Sequence, residues 1–208
     1  MSTRFIWNFE IELSSPLQLP QNSERLEDKR WEARFFWPDK KPISLHGLDD
    51  SFLELSRYRF KHRSDTYLIL SDRDYNVKIR NDALLYKPCL ERTAHALAYG
   101  KKITLDGSTL VELPEEEVLD LTTLLTKINR EAYSIHLEKE AVIYKFPDSP
   151  KLTLEFARIM INNQIFFSVS VESRILLWVQ YLSQHILGNK TACDYVTFLK
   201  SANVSPSL

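Results

Sequence analysis

The stretch VKIR, residues 77–80, puts Lys78 and Arg80 on one side of an extended chain and Val77 and Ile79 on the other. A polar turn at Asn81-Asp82 leads into LLYK, which adds a third cation, Lys87. Cations gathered on one face of a strand pair serve either a solvated sheet surface or the wall of a channel that holds anions. Carboxylates are sorted in the same way. Glu10 and Glu12 share a face of FIWNFEIEL, opposite Phe9, Ile11 and Leu13. On KLTLEFA, Glu155 lies with Thr153 and Ala157, opposite Leu152, Leu154 and Phe156. On FFSVSVES, Glu172 lies with Ser168 and Ser170, opposite Phe167, Val169 and Val171. A half-buried antiparallel sheet shows this alternation with its charges simply facing water, so the pattern alone leaves both readings open.

The elements that must position these groups are mostly strands. FIWNFEIEL and RWEARFFW alternate, the latter with Glu32, Arg34 and Phe36 opposite Trp31, Ala33 and Phe35, and it stops at Pro38. DKKPISLHGLDD reads as a loop, and residues 52–70 as extended chain broken near His62-Arg63-Ser64. VKIR and LLYK form a hairpin. CLERTAHALAYG reads as a short helix ended by Gly100, and Asp106-Gly107 as a tight hairpin turn. A helix opens at Pro114 and three glutamates, with Val118, Leu121, Leu125 and Ile128 as its apolar stripe. YSIHLEKEAVIYKF, KLTLEFARIMI and IFFSVSVES follow as strands joined by short links. RILLWVQYLSQHIL and TACDYVTFLK close the chain as helices. The order predicts an α+β protein built on a large antiparallel sheet that can close into a barrel. Residues 1–208 form one domain, with helices from residue 173 onward packing on the barrel.

Composition narrows the function. The 208 residues are 44% hydrophobic and 26% charged, which suits one core. Lys+Arg and Asp+Glu, 27 against 28, nearly cancel, so overall charge does not point to nucleic acid or an anionic membrane. Any anion site must be local. Four glycines rule out a P-loop or a dinucleotide fingerprint. Cys89 and Cys193 match no metal spacing or disulfide framework. MSTRFIWNFEIEL does not read as a signal peptide, and a reducing, cytoplasmic setting is expected. No apolar run is long enough to span a bilayer; RILLWVQYLSQHIL suits docking on the barrel or on a second copy in a homodimer.

The ordered set of short motifs resembles the CYTH superfamily, the triphosphate tunnel metalloenzymes. Glu10-Ile11-Glu12 is similar to the Glu-x-Glu-x-Lys strand that opens that family. Asp65-Thr66-Tyr67, Lys78-Ile79-Arg80 and Leu85-Tyr86-Lys87 follow the order of its middle strands, and Leu154-Glu155 with Val169-Ser170-Val171-Glu172 that of its late ones. The resemblance covers most of residues 5–173. It implies an antiparallel tunnel barrel of about eight strands that holds a triphosphate or related phosphorylated small molecule and hydrolyses it with Mg²⁺ or Mn²⁺. Glu10, Glu12, Glu155 and Glu172 would then hold metal, with Glu10 and Glu12 catalytic, and Lys78, Arg80 and Lys87 would hold phosphates. That division suits the chemistry, since hard cations take carboxylate oxygens and phosphates take Arg and Lys.

The chain also departs from the family. Ser14 stands where the family has a lysine, and alternation on YSIHLEKE groups His136, Glu138 and Glu140 opposite Lys139. Fewer cations favour a second reading: a barrel without catalysis that binds a phosphorylated ligand or a protein. The five histidines are scattered and match no metal-ligand spacing. The run Arg57, Arg59, Lys61 and Arg63, interleaved with Tyr58 and Phe60, could stack and hold single-stranded nucleic acid, but reads rather as a solvated strand or as a guard at a tunnel mouth.

Overall fold

The computed structural model describes residues 2–21, 28–105, 121–146 and 152–202. Its first elements are strands β1 (Ser2–Ile6), β2 (Phe9–Leu13), β3 (Arg30–Pro38) and β4 (Ile43–Leu48). Two 3-10 turns lead to β5 (Tyr58–Leu70), β6 (Arg73–Arg80), β7 (Ala83–Lys87), β8 (Cys89–Arg92), β9 (Leu97–Tyr99) and β10 (Ile103–Thr104). Helix α1 (Leu121–Glu131) precedes β11 (Tyr133–Lys145), β12 (Thr153–Ile161) and β13 (Gln164–Ser173), and helices α2 (Leu176–Leu187) and α3 (Tyr195–Ser201) follow.

Ten of these strands form one sheet, ordered β10-β7-β6-β5-β11-β12-β13-β3-β9-β8. Its two ends are one hairpin. β7 and β8 are separated only by Pro88, and β9 runs on through Gly100 towards β10. Ile103 pairs with Tyr86, Tyr99 with Cys89 and Leu97 with Arg92, while the Gly100 N–H donates to the Pro88 carbonyl at 3.0 Å. Residues 83–92 and 97–104 therefore run antiparallel along their length. One joins β6 and the other joins β3, which closes the sheet on itself. Counted this way, eight antiparallel strands make the barrel, as expected for an α+β barrel protein. Two tight turns help to close it: Asn81-Asp82 (φ 48° and 60°) and Asn162-Asn163 (φ 47° and 62°) both adopt the left-handed pair that matches strand twist.

The largest apolar core lies outside this barrel. Leu154, Phe156, Phe167, Val169 and Val171 point outward from the wall and are buried. β1, β2 and β4, a separate three-stranded sheet in which β2 and β4 run parallel, cover them together with α2. Phe9 packs on Phe156 and Phe167 at ring separations of 5.3 and 5.8 Å. The polar faces of the wall strands therefore point inward. α3 does not pack on the outside with α2. Phe36 of β3 stacks on Phe198 at 3.9 Å, and Tyr67, Ile135, Leu137 and Ile159, all on inward faces, bury Tyr195, Val196 and Leu199. One end of the barrel interior is thus filled by this helix.

Several local expectations give way to tertiary context. FIWNFEIEL is a hairpin bent at Trp7 (φ 49°), not one strand, and Leu13 is exposed. Part of DKKPISLHGLDD is β4, and β5 runs through His62-Arg63-Ser64 unbroken. CLERTAHALAYG is the short β8–β9 hairpin rather than a helix, because Leu97 and Tyr99 bury against the barrel while Leu90 stays exposed. The Asp106-Gly107 turn and the Pro114 helix start lie outside the described residues. From Leu121 onward the helix forms, burying Leu124 and Ile128. No described helix is long and apolar enough to cross a membrane.

Candidate functional site

The open end of the barrel is a cavity of about 740 Å³. Thirteen of the chain's 27 Lys and Arg residues line it, but only five of its 28 Asp and Glu. Tyr195 of α3 forms part of the floor. The charge arises from strand parity: on β3, β5, β6, β11 and β12 the inward positions that are not apolar are mostly ionisable.

Near the floor, acids and bases neutralise one another. Arg34 Nε donates to Glu32 at 2.8 Å, and its Nη1 donates to Glu155 at 3.0 Å and to Ser168 at 3.2 Å. Its Nη2 lies 3.8 Å from Glu172, which also pairs with Arg30 at 3.4 Å. Lys139 donates to Glu155 at 2.9 Å, and Lys87 reaches across from β7 to Glu32 at 2.7 Å. Asp65 accepts two bonds from Arg80, both 2.5 Å, and one from Lys78 at 3.1 Å.

Burial and these partners oppose one another in setting protonation. Burial pushes the Glu155 carboxyl up, but Lys139 and Arg34 outweigh it and hold it at about 2. Glu32 is likewise held well below the carboxylate range, with Lys87 and Arg34 overcoming burial. Burial also acts against the charged form of Asp65, and Arg80 with Lys78 brings it to about 2. Lys78 goes the other way. Its burial, aided by Arg80, outweighs Asp65 and lowers the amine to about 7. The asymmetry has a simple cause: Asp65 is already balanced by the permanently charged Arg80, which leaves Lys78 as the surplus cation.

Seven further cations have no acidic partner among the described residues. Arg59, Lys61 and Arg63 alternate along the first half of β5 and face the cavity. Lys101 and Lys102 follow β9, Lys145 ends β11 and Arg174 follows β13. Burial, Arg63 and Arg59 lower the Lys61 amine, and burial, Arg80 and Arg63 lower that of Lys102. Three buried polar atoms on the same inner surface also lack a partner among the described residues: Asn76 Oδ1, Ser170 Oγ and the Tyr195 hydroxyl.

Of the residues singled out in the sequence, Lys78, Arg80, Lys87, Glu155 and Glu172 all face this cavity. Glu10 and Glu12 do not. Their strand lies in the outer sheet, and burial of Phe9 and Ile11 against the barrel wall turns both acids away from it. Glu10 accepts from Ser2 at 3.1 Å and lies 3.6 Å from Arg4, while Glu12 meets His46 at 2.9 Å. The expected convergence of these two acids with the cations is therefore corrected, and Ser14, on the same excursion, is not a barrel position either. Lys139, on the face of β11 opposite His136, Glu138 and Glu140, points inward, and Lys145 shares that face. The acid of the first barrel strand is Glu32, and Arg34 accompanies it. Their spacing was visible in RWEARFFW, whose inward face reads Glu32, Arg34, Phe36.

The donor set does not suit a divalent metal. Among the described residues no group of three His, Cys, Asp or Glu side chains is placed to hold one. Glu32, Glu155 and Asp65 each already accept from two cationic side chains.

No protein-family model matches the chain, and no curated protein matches it. Among solved structures, a Bacillus halodurans protein provisionally described as an adenylate cyclase is similar over 84% of this chain and 99% of that one. The identity is 10% and the TM-score 0.42, a distant likeness.

Proposed function

We propose that this barrel binds a phosphorylated, polyanionic small molecule at the mouth of its cavity and is a binding module rather than a metal-dependent phosphohydrolase. The observation that carries this reading is the set of seven Lys and Arg side chains that face one cavity without acidic partners among the described residues. Clustered like charges repel and are costly to hold together unless a counter-charge arrives. A phosphate chain supplies several anionic oxygens in a row, and the paired spacing of Arg59, Lys61 and Arg63 along one strand face presents donors in a row. Arg80 and Lys87, partly engaged by Asp65 and Glu32, form a second tier below. The Tyr195 hydroxyl, without a partner among the described residues, adds a neutral donor nearer the floor.

Calorimetric and thermal-shift titrations with tripolyphosphate, in EDTA, test this directly. Saturable binding is expected, with stabilisation of about 2.7 kcal/mol at a hundredfold excess over Kd. The double variant Lys61→Glu/Arg63→Glu is expected to lose that binding without any fall in its own unfolding midpoint. If tripolyphosphate binds no better than sulfate at equal ionic strength, the reading is wrong. Phosphate release in the same samples separates binding from hydrolysis, since sustained turnover would restore the phosphohydrolase.

A further inference from the structure

Three carboxylates from three neighbouring strands meet around a single guanidinium. The three nitrogens of Arg34 each address a different acid: Nε faces Glu32 of β3 at 2.8 Å, Nη1 faces Glu155 of β12 at 3.0 Å, and Nη2 faces Glu172 of β13 at 3.8 Å. The Arg34 side chain is 4% exposed. Oxygens gathered around a buried positive centre are how proteins hold a hard divalent cation. Here the centre belongs to the chain itself. Lys87 on Glu32, Lys139 on Glu155 and Arg30 on Glu172 supply the remaining charge, so each acid is satisfied without an added ion. The Arg34 guanidinium plane is also set for directional hydrogen bonds, with Ser168 Oγ accepting a further one at 3.2 Å.

We infer that Arg34 is the resident cation of this cavity, supplying to Glu32, Glu155 and Glu172 the shared positive charge that an added ion would otherwise bring, so that the site works metal-free. A tethered guanidinium cannot be removed by chelation, and a metal ion could enter only by expelling a buried charge from its partners. Arginine offers charge and hydrogen bonds but no open coordination position for a water. The claim about Arg34 stands on this geometry; only its consequence for the ligand rests on the anion-binding reading above.

Paramagnetic resonance of Mn²⁺ added to the full chain counts bound ions without any need for activity. The wild type is expected to hold none, and EDTA is expected to leave both its unfolding midpoint and its tripolyphosphate affinity unchanged. Arg34→Ala, which removes the shared cation and leaves each of the three acids with a single cationic partner, is expected to gain saturable Mn²⁺ binding. Adding Glu155→Gln to that variant is expected to abolish the gain, and Arg34→Lys, which keeps a charge, is expected to bind no Mn²⁺. Saturable Mn²⁺ binding by the wild type that Glu155→Gln removes would overturn the inference. So would an Arg34→Ala protein with wild-type circular dichroism that takes up no Mn²⁺. If Arg34→Ala does not fold, the wild-type measurement decides alone. Should tripolyphosphate fail to bind while the Mn²⁺ pattern holds, the anion-binding reading falls and the assignment of Arg34 remains.

Discussion

Asp65 shows how unevenly two partners of one ion pair can matter. It is 3% exposed and accepts from both Arg80 and Lys78. Asp65→Asn strands two cations in a buried setting and is expected to cost about 3 kcal/mol or more, measured by denaturant unfolding. Lys78→Met removes the surplus cation and is expected to be nearly neutral at pH 7. Their pH dependence differs in sign. Asp65 and Glu155 are both held at about 2, below their ordinary values of 3.8 and 4.5, so their contribution is full above those values and is lost as pH falls towards 2. Lys78 is lowered from 10.5 to about 7, so between these values the unfolded chain carries the proton that the folded chain has shed, and stability rises with pH. Unfolding midpoints of wild type and Lys78→Met should therefore diverge from pH 7 to 10, with only the wild type gaining from this source. Parallel curves would mean that Lys78 keeps its proton.

Helix α2 meets the outer sheet through one contact of little tolerance. His185 Nε2 lies 3.1 Å from the Gly47 carbonyl, and its ring stacks on Tyr181. Gly47 has φ +67°, and a Cβ there would stand 2.1 Å from the same ring nitrogen. Gly47→Ala must accept a left-handed backbone and push the ring away, at roughly 2 kcal/mol; a midpoint shift no larger than that of a surface substitution would refute it. This contact also marks what sequence could not reveal. Alternation made β11, β12 and β13 legible, and it correctly grouped Glu155 with Thr153 and Glu172 with Ser170. It gives faces, however, not which face becomes an interior. The usual expectation turns the apolar face to the core and the polar face to water, whereas here β1, β2, β4 and α2 cover the apolar face from outside. The same limit misplaced Glu10 and Glu12, whose alternation is as clean as that of any barrel strand. Their sheet is decided by Phe9 meeting Phe156 and Phe167, partners distant in sequence. Arg59, Lys61 and Arg63 were equally visible as a run, and only the continuation of β5 into Asp65 and Tyr67 shows that they face the cavity.

Over the whole molecule, charge is partitioned rather than accumulated. Nearly half of the Lys and Arg residues face the cavity with fewer than a fifth of the acids, although the chain as a whole is close to neutral. Attraction of an anion should therefore arise at the mouth and weaken with added salt, most steeply for the tier without acidic partners. Repeating the tripolyphosphate titration from low to physiological NaCl should show a falling affinity, and Arg63→Gln should flatten the slope. A salt-independent affinity would place the binding elsewhere.

Helix α3 gives the barrel a bottom. With Phe36, Tyr67 and Leu137 clasping Phe198, Tyr195 and Leu199, the described residues leave no passage from one side to the other. A guest must come and go by the same door, and a very long phosphate polymer could offer only its tips. Potency should then scale with the number of chain ends in solution rather than with total phosphate, so at equal mass the shorter oligomers would compete best.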